Sequence, residues 1–114
     1  MTELPSQMTA IEITTPGGPE VLVPCQRPLP ALQSGEVLIQ VSAAGVNRPD
    51  VAQRQGAYPP PPGASDLPGL EISGTVVQTH EDVDSSWLGK QVCALVAGGG
   101  YAEYSAASFA LCLP

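Results

Sequence analysis

The sequence has few basic side chains. Four Lys and Arg residues stand against eleven Asp and Glu residues, which gives a net charge of −7. A surface with this balance repels the phosphate groups of nucleic acids and of anionic membranes, so we expect neither as a partner.

Histidine is also scarce, since His80 is the single one and lies in a polar run beside Glu81 and Asp82. A catalytic or metal-binding histidine needs a partner and a cleft. We therefore expect His80 to be a solvated surface residue, and expect no Ser-His-Asp triad and no metal site.

Cysteine and long apolar runs are limited as well. The three cysteines, Cys25, Cys93 and Cys112, are odd in number, far apart and flanked by apolar residues. This pattern contains no disulfide framework and no CxxC zinc site, and predicts buried free thiols of a cytosolic protein.

The longest uninterrupted apolar run, residues 92–97, is too short to cross a bilayer, and the polar N-terminal residues MTELPSQ do not resemble a signal peptide. We expect a soluble, cytoplasmic chain.

Proline and glycine, by contrast, are abundant. The chain has 13 prolines and 12 glycines, yet 43% of its residues are hydrophobic and only 13% are charged, which is the composition of a folded protein. A length of 114 residues suits one domain. The segment from Glu36 to Val46 alternates most regularly as a strand. One face is expected to carry Val37, Ile39 and Val41, and the opposite face Glu36, Leu38, Gln40 and Ser42. Gly74 inside a second alternating segment predicts a bulge or a close backbone approach. The pattern predicts a mainly β fold, a partly open β-barrel of about seven short strands with one short helix.

Most of the polar chemistry lies between Gly45 and Gly63, in GVNRPDVAQRQGAYPPPPG. Asn47 follows the strong strand and precedes RPDVAQRQ, so its side-chain oxygen is expected to cap a short helix. Pro49 and Asp50 suit the first helical turn. Gly56 is expected to end the helix in the left-handed conformation.

Tyr58 lies between this helix and four prolines, which fix an extended loop. Its hydroxyl either points into a cleft as a functional group or stays in water while the ring covers apolar surface. Asn47 is likewise either a helix cap alone or a site residue. Residue spacing leaves both alternatives open.

The three glycines at residues 98–100 do not predict a phosphate-binding loop. Such a loop needs glycines between a strand and a helix N-terminus, whereas the following segment, YAEYSA, alternates as a strand.

Five ordered motifs carry a family resemblance: PGGPEVL, GEVLIQVSAAGVNRPDVAQRQGAYPPPPG, PGLEISGTVV, GKQVCAL and GGGYAEYSAA. In this order they resemble the N-terminal GroES-like catalytic domain of quinone oxidoreductases, in the zeta-crystallin-like branch of the medium-chain dehydrogenase/reductase superfamily. The resemblance implies a GroES-like barrel over residues 8–114, preceded by an N-terminal extension of residues 1–7.

The resemblance also implies the zinc-free branch of that superfamily. Zinc-dependent relatives have a cysteine at the position of Asn47 and a histidine at the position of Leu70. Neither Asn47 nor Leu70 is a thiolate or imidazole ligand, and the cysteine-rich zinc lobe is missing. Glu71, which belongs to the zinc site in those relatives, is expected to have a structural role.

In the zinc-free branch the resemblance implies hydride transfer from NADPH to a quinone or another conjugated carbonyl. Asn47 and Tyr58 are the implied catalytic residues, and Asn47 is also the implied cofactor-binding residue beside the nicotinamide. The Rossmann coenzyme domain of such enzymes, with its GxGxxG fingerprint, has no counterpart in this sequence. We therefore expect the 114 residues alone to be inactive and to form homo-oligomers through the apolar face that this domain would cover. The alternatives are a non-catalytic GroES-like interaction module and an enoyl reductase of the same superfamily.

Overall fold

The protein is described by a computed structural model of residues 4–114, so residues 1–3 of the predicted N-terminal extension lie outside the described part. Seven strands and one α-helix form its regular structure, together with three single-turn 3₁₀ segments. The elements in chain order are β1 (Gln7–Ile13), β2 (Leu22–Pro28), β3 (Glu36–Ala44), α1 (Arg48–Arg54), β4 (Glu71–Thr79), β5 (Gln91–Leu95), β6 (Tyr104–Ser108) and β7 (Cys112–Leu113). None of the described helices is long and apolar enough to span a membrane.

The strands form two antiparallel sheets. One is the hairpin β1-β2, and the other has five strands in the order β6-β3-β4-β5-β7. The larger sheet curls into a half-barrel, which confirms the predicted mainly β fold with a partly open barrel and one short helix. Its main core is made of aliphatic side chains from the central strands and their neighbours: Val37, Ile39, Ile72, Val76, Val83, Val92, Ala94, Ala107 and Cys112.

Strand β3 is buried near its start, where three consecutive residues are inaccessible to solvent. Val37, Leu38 and Ile39 are all at most 1% exposed. The predicted alternation placed Leu38 on the polar face with Gln40, and this part of the prediction is wrong. The neighbouring Gln40 is exposed. Near its start, β3 is therefore covered on both faces, as expected where a sheet curls on itself.

Gly74 on β4 lies at a close approach between β4 and β3. It pairs with Val41, and the register then shifts so that Ser42 of β3 has no partner opposite it. A Cβ atom on Gly74 would lie 2.8 Å from the Ile39 Cγ2 and 2.9 Å from the Gln40 carbonyl carbon. The sequence-based prediction of a bulge or close backbone approach at this glycine is confirmed.

The segment YAEYSA is not a strand from its first residue. Its strand, β6, begins only at Tyr104. The preceding residues bond to β1 instead: the Ile11 N–H donates to the Tyr101 carbonyl at 2.8 Å, and the Glu103 N–H donates to the Thr9 carbonyl at 3.1 Å. This crossing links the hairpin to the large sheet, and alternation within one segment does not reveal it.

The cysteines are less uniform than predicted. All three are free thiols, but Cys112 alone is buried, while Cys25 is half-buried and Cys93 is exposed. Strand alternation explains the difference, because Cys93 lies between the buried Val92 and Ala94 and so faces the opposite side of β5.

His80 is also not the solvated residue that the sequence suggested. It is half-buried, and its Nδ1 lies 2.7 Å from the Asp82 Oδ1. The same carboxylate accepts the Gly35 N–H at 3.0 Å and a hydrogen bond from the Ser34 hydroxyl. Ser34 donates to Asp82 and not to His80, so the three residues lack the geometry of a catalytic triad. Their hydrogen bonds instead hold the segment around Ser34 against the segment around His80.

Hydrogen bonds from Ser34 and Gly35, with a smaller contribution from His80, lower the pKa of Asp82 to about 2. Asp82 therefore stabilises the fold above its ordinary pKa of about 4, and this contribution is lost as the pH falls towards 2. We expect Asp82→Asn to lower the free energy of unfolding relative to the unmodified protein. The decrease should be largest above pH ~4 and should become smaller towards pH ~2. Urea unfolding across that range measures it. Glu81→Gln is the control, since its carboxylate bonds no described side chain, and a loss from Asp82→Asn that is constant across the range would contradict the assignment.

Candidate active site

The first turn of α1 organises the polar residues that the sequence singled out. Asn47 is the N-cap residue, with extended backbone angles of φ −128° and ψ 162°. Asp50 reaches back from the third helical position, and its Oδ2 accepts the Asn47 N–H at 3.0 Å. The Asn47 side chain faces the Asp50 N–H in a capping-box arrangement, but this N–H bonds the Asn47 carbonyl oxygen at 3.0 Å. Asn47 is at the predicted N-cap position, but its side-chain oxygen does not make the predicted cap hydrogen bond. The side-chain bond of this cap comes from the Asp50 carboxylate instead.

The Asn47 side chain is held from the other side by Glu71. Its Nδ2 donates to the Glu71 Oε1 at 2.9 Å. A carboxylate has only acceptors, so this bond requires the amide nitrogen, and not the amide oxygen, to face Glu71. The second N–H and the carbonyl oxygen of the amide remain available to another group.

Gly45 provides the space for Glu71. A Cβ atom at this position would lie 2.6 Å from the Glu71 Cδ, so any larger residue would displace the carboxylate. The backbone ties the same two positions together, because the Gly45 N–H donates to the Glu71 carbonyl at 3.0 Å. Glu71 thus orients the Asn47 side-chain amide, which is a structural role.

Asp50 is the buried charge of the site. It is 5% exposed, and its Oδ2 also accepts the Tyr101 hydroxyl at 2.8 Å. Its other oxygen, Oδ1, is buried and has no hydrogen-bond partner among the described residues. Burial, together with the adjacent Asp50 carboxylate, raises the pKa of the Tyr101 phenol above its ordinary value. Tyr101 therefore stays protonated and remains a hydrogen-bond donor at neutral pH.

Tyr101 is the site residue that sequence reasoning missed. The sequence pattern predicts only that it is part of a strand, and nothing in local spacing connects it with Asp50, 51 residues earlier. The one available signal was the rarity of aromatic residues, since Tyr101 is one of only three tyrosines in the chain.

Tyr58 lies apart from this cluster. It follows the end of α1 on the proline loop, outside regular structure, and its side chain is 40% exposed. Its hydroxyl makes no hydrogen bond within residues 4–114. Since Asn47 precedes α1 and Tyr58 follows it, the two are separated by a seven-residue helix with a length of about 10 Å. The structure does not join them directly.

A cavity lies elsewhere in the molecule. It has a volume of about 480 Å³ and lies between the hairpin and β6, where Leu67, Gly98 and Ser105 are among its lining residues. Neither Asn47 nor Tyr58 lines it. Arg27 on its wall is paired with Asp66 at 2.9 Å and with Glu12 at 3.2 Å, so its positive charge is already neutralised. The cavity therefore offers an apolar volume without a cluster of catalytic groups.

Metal ligands do not converge in the described part of the chain. Residues 4–114 contain no group of three or more His, Cys, Asp or Glu side chains with the spacing of a metal site. At the position where the superfamily resemblance would put zinc ligands, Asn47 and Glu71 are bonded to each other.

Comparisons with known proteins all point to one family of domains. Residues 33–114 match the family of alcohol dehydrogenase GroES-like domains. A quinone oxidoreductase from Mus musculus is 37% identical over 103 residues, which cover 89% of this chain and 31% of that protein.

Two solved structures are similar over nearly all of the chain. The human synaptic vesicle membrane protein VAT-1 homolog-like protein has a TM-score of 0.86 at 30% identity, covering 96% of this chain and 35% of that chain. A mycobacterial protein solved in complex with NADPH has a TM-score of 0.78 at 36% identity, covering 94% of this chain and 34% of that chain. The chain spans about a third of the length of these relatives.

Proposed function

Because the chain belongs to the alcohol dehydrogenase GroES-like domain family, we propose that it forms the substrate side of an NADPH-dependent oxidoreductase that reduces quinones or related conjugated carbonyls. The observation that carries the proposal is the pair of neutral donors at the two ends of α1. These are the Asn47 amide, fixed by Glu71, and the unbonded Tyr58 hydroxyl on its proline loop. A similar mouse protein is a quinone oxidoreductase, and a similar mycobacterial protein binds NADPH, which supports this choice of substrate and cofactor.

The Tyr58 hydroxyl acts on the substrate. Hydride addition to a quinone carbon builds negative charge on the carbonyl oxygen, and a donor already aimed at this oxygen stabilises the charge with little reorganisation. The hydroxyl of a tyrosine is a hydrogen-bond donor and can fill this role. The prolines that follow Tyr58 restrict the loop and reduce the entropy lost when the ring is positioned.

Asn47 acts on the cofactor side. One N–H of its amide is committed to Glu71, which leaves one donor and one acceptor in a fixed orientation. These match the acceptor and donor of the nicotinamide carboxamide, so Asn47 would hold that ring in register. NADPH supplies the hydride when bound. The separation of Asn47 from Tyr58 by the length of α1 suits two different ligands.

We propose that this chemistry proceeds without zinc. Charge on the substrate oxygen is stabilised by a phenol donor in place of a metal ion, and the Asn47 amide and Leu70 side chain offer no thiolate or imidazole. The free cysteines fit the cytoplasmic location that we propose for the protein.

The test is NADPH oxidation by the intact protein that contains this chain, with simple quinones and enones as acceptors. We expect saturable, quinone-dependent turnover that a metal chelator leaves unchanged, and we expect the 114 residues alone to bind no NADPH. Turnover with enones but not with quinones would favour an enoyl reductase. If NADPH binds but no acceptor is reduced, the chain is an interaction module and the proposal is wrong.

We also propose that the chain self-associates through its β5-β7 edge. Leu95, Leu111 and Leu113 are 59%, 52% and 68% exposed. The antiparallel register pairs Cys93 with Leu113 and Ala94 with Cys112. Continuing this register places Leu95 beside Leu111. The outward face of this edge is therefore apolar. Apolar patches of this kind promote association.

Light scattering should therefore find dimers or larger species of the 114-residue chain, and Leu113→Asp should shift them towards monomers. Leu88→Asp, at an exposed leucine outside this edge, is the control and should leave association unchanged. A monomeric chain at high concentration would contradict the proposal.

A further inference from the structure

The hydrogen bond between the buried Asp50 and the half-buried Tyr101 is not explained by the proposed chemistry. Asp50 is a carboxylate in the interior with two donors on one oxygen and none on the other. A buried charge is costly unless it is well bonded, so each of its two donors matters more than an ordinary surface hydrogen bond. One donor is the backbone of Asn47, and the other is the Tyr101 hydroxyl.

Tyr101 is itself held by the backbone from two directions. Its N–H donates to the Pro68 carbonyl at 3.0 Å, and its carbonyl accepts the Ile11 N–H at 2.8 Å. Gly69 allows the first of these contacts, because a Cβ atom there would lie 2.6 Å from the Tyr101 nitrogen. The residue therefore presents its hydroxyl from a rigid position at the crossing between β1 and the large sheet.

A chain of contacts leads from this crossing to the Asn47 amide. Tyr101 bonds the Asp50 carboxylate, the carboxylate bonds the Asn47 N–H, and the Asn47 side chain then reaches Glu71. The first turn of α1 is thereby fixed on one side by Tyr101 and on the other by Glu71. Without the Tyr101 hydroxyl, the Asp50 carboxylate would keep the Asn47 N–H as its one donor, because its Oδ1 has no hydrogen-bond partner among the described residues.

We propose that Tyr101 is a positioning residue for the active site, which acts through Asp50 to hold the Asn47 amide in the orientation that binds cofactor. This role rests on the proposed function of Asn47. It extends the site to a residue that contacts neither of the proposed ligands, and it makes the geometry of Asn47 depend on a contact between segments far apart in sequence.

The kinetic test is a double-mutant cycle in the intact protein, with Tyr101→Phe and Asn47→Ala. We expect Tyr101→Phe alone to raise KM for NADPH about three- to tenfold, with a smaller change in kcat, because the altered contact is on the cofactor side. In the Asn47→Ala background the same substitution should have no further effect on KM. Tyr104→Phe is the matched control, since its ring packs against the Met8 cluster and its hydroxyl bonds none of the described residues. Independent, additive losses in the double variant would overturn the proposal.

A second measurement separates this inference from the proposed function. In nuclear magnetic resonance spectra of the isotope-labelled protein, Tyr101→Phe should shift the backbone and side-chain amide signals of Asn47, while Tyr104→Phe should leave them in place. This readout needs no turnover, so the positioning role survives even if quinone activity is absent. Unmoved Asn47 signals in a folded Tyr101→Phe variant would contradict it. If that variant does not fold, Asp50→Asn replaces it, and the Asn47 side-chain signals must then shift for the proposal to stand.

Discussion

Replacing Tyr58 by phenylalanine is expected to lower kcat/KM for quinone reduction by roughly tenfold to a few hundredfold, the range of one lost donor of ~1–3 kcal/mol. The substitution removes the hydroxyl that stabilises charge on the carbonyl oxygen and keeps the ring. Its effect should therefore appear in the chemical step, and NADPH binding and the fold should be unchanged. Steady-state kinetics with a simple quinone, together with an NADPH titration, measure both parts.

Tyr104→Phe is again the control, because it makes the same chemical change on β6, outside the two ends of α1. It should leave kcat/KM within about twofold of the unmodified protein. If Tyr58→Phe also leaves quinone turnover unchanged, the Tyr58 ring has a packing role, and the carbonyl oxygen must be polarised by Asn47 or by water.

Replacing Gly74 by alanine is expected to lower the free energy of unfolding by ~2–4 kcal/mol, through overpacking between two central strands. The added methyl group would contact the Ile39 side chain and the Gln40 backbone at less than 3 Å. Neither neighbour moves easily, because Ile39 is fully buried and Gln40 is part of the β3 ladder. Urea unfolding of the purified protein measures the change.

Ser73→Ala is the neighbouring control, since it also places a methyl group on β4 but at a half-buried position that already has a Cβ atom. Its effect should be well under half of that of Gly74→Ala. Equal effects at the two positions would mean that the close strand approach at Gly74 is not what limits the residue to glycine.

Much of the fold follows from local sequence patterns. The N-cap position of Asn47 and the left-handed Gly56 with φ of 85° are confirmed because each depends on nearby residues. The close approach at Gly74 is also confirmed, because a glycine inside a strand pattern marks such an approach even when its partner strand is distant in sequence. The errors lie where distant segments meet. Leu38 is buried although its face was predicted to be polar, and β6 begins three residues later than the alternation suggested, because the preceding residues bond to β1.

The candidate site divides in the same way. Asn47 and Tyr58 were found from capping chemistry, loop stiffness and a family resemblance, whereas their environments depend on tertiary contacts. The bond between Asn47 and Glu71 spans 24 residues, and that between Tyr101 and Asp50 spans 51. No periodicity or local motif encodes contacts of this range, so the orientation of the Asn47 amide and the part played by Tyr101 became visible only in the folded chain.

The proposed function requires the substrate to bind at the Tyr58 end of α1 and the nicotinamide at the Asn47 end. A crystal structure of the intact protein with NADPH and a quinone would test this arrangement. We expect a substrate carbonyl oxygen within about 3.2 Å of the Tyr58 hydroxyl, and the nicotinamide carboxamide at the same distance from the Asn47 side-chain amide. A quinone bound instead in the apolar cavity beside Leu67 and Ser105, with the Tyr58 hydroxyl in bulk water, would contradict it.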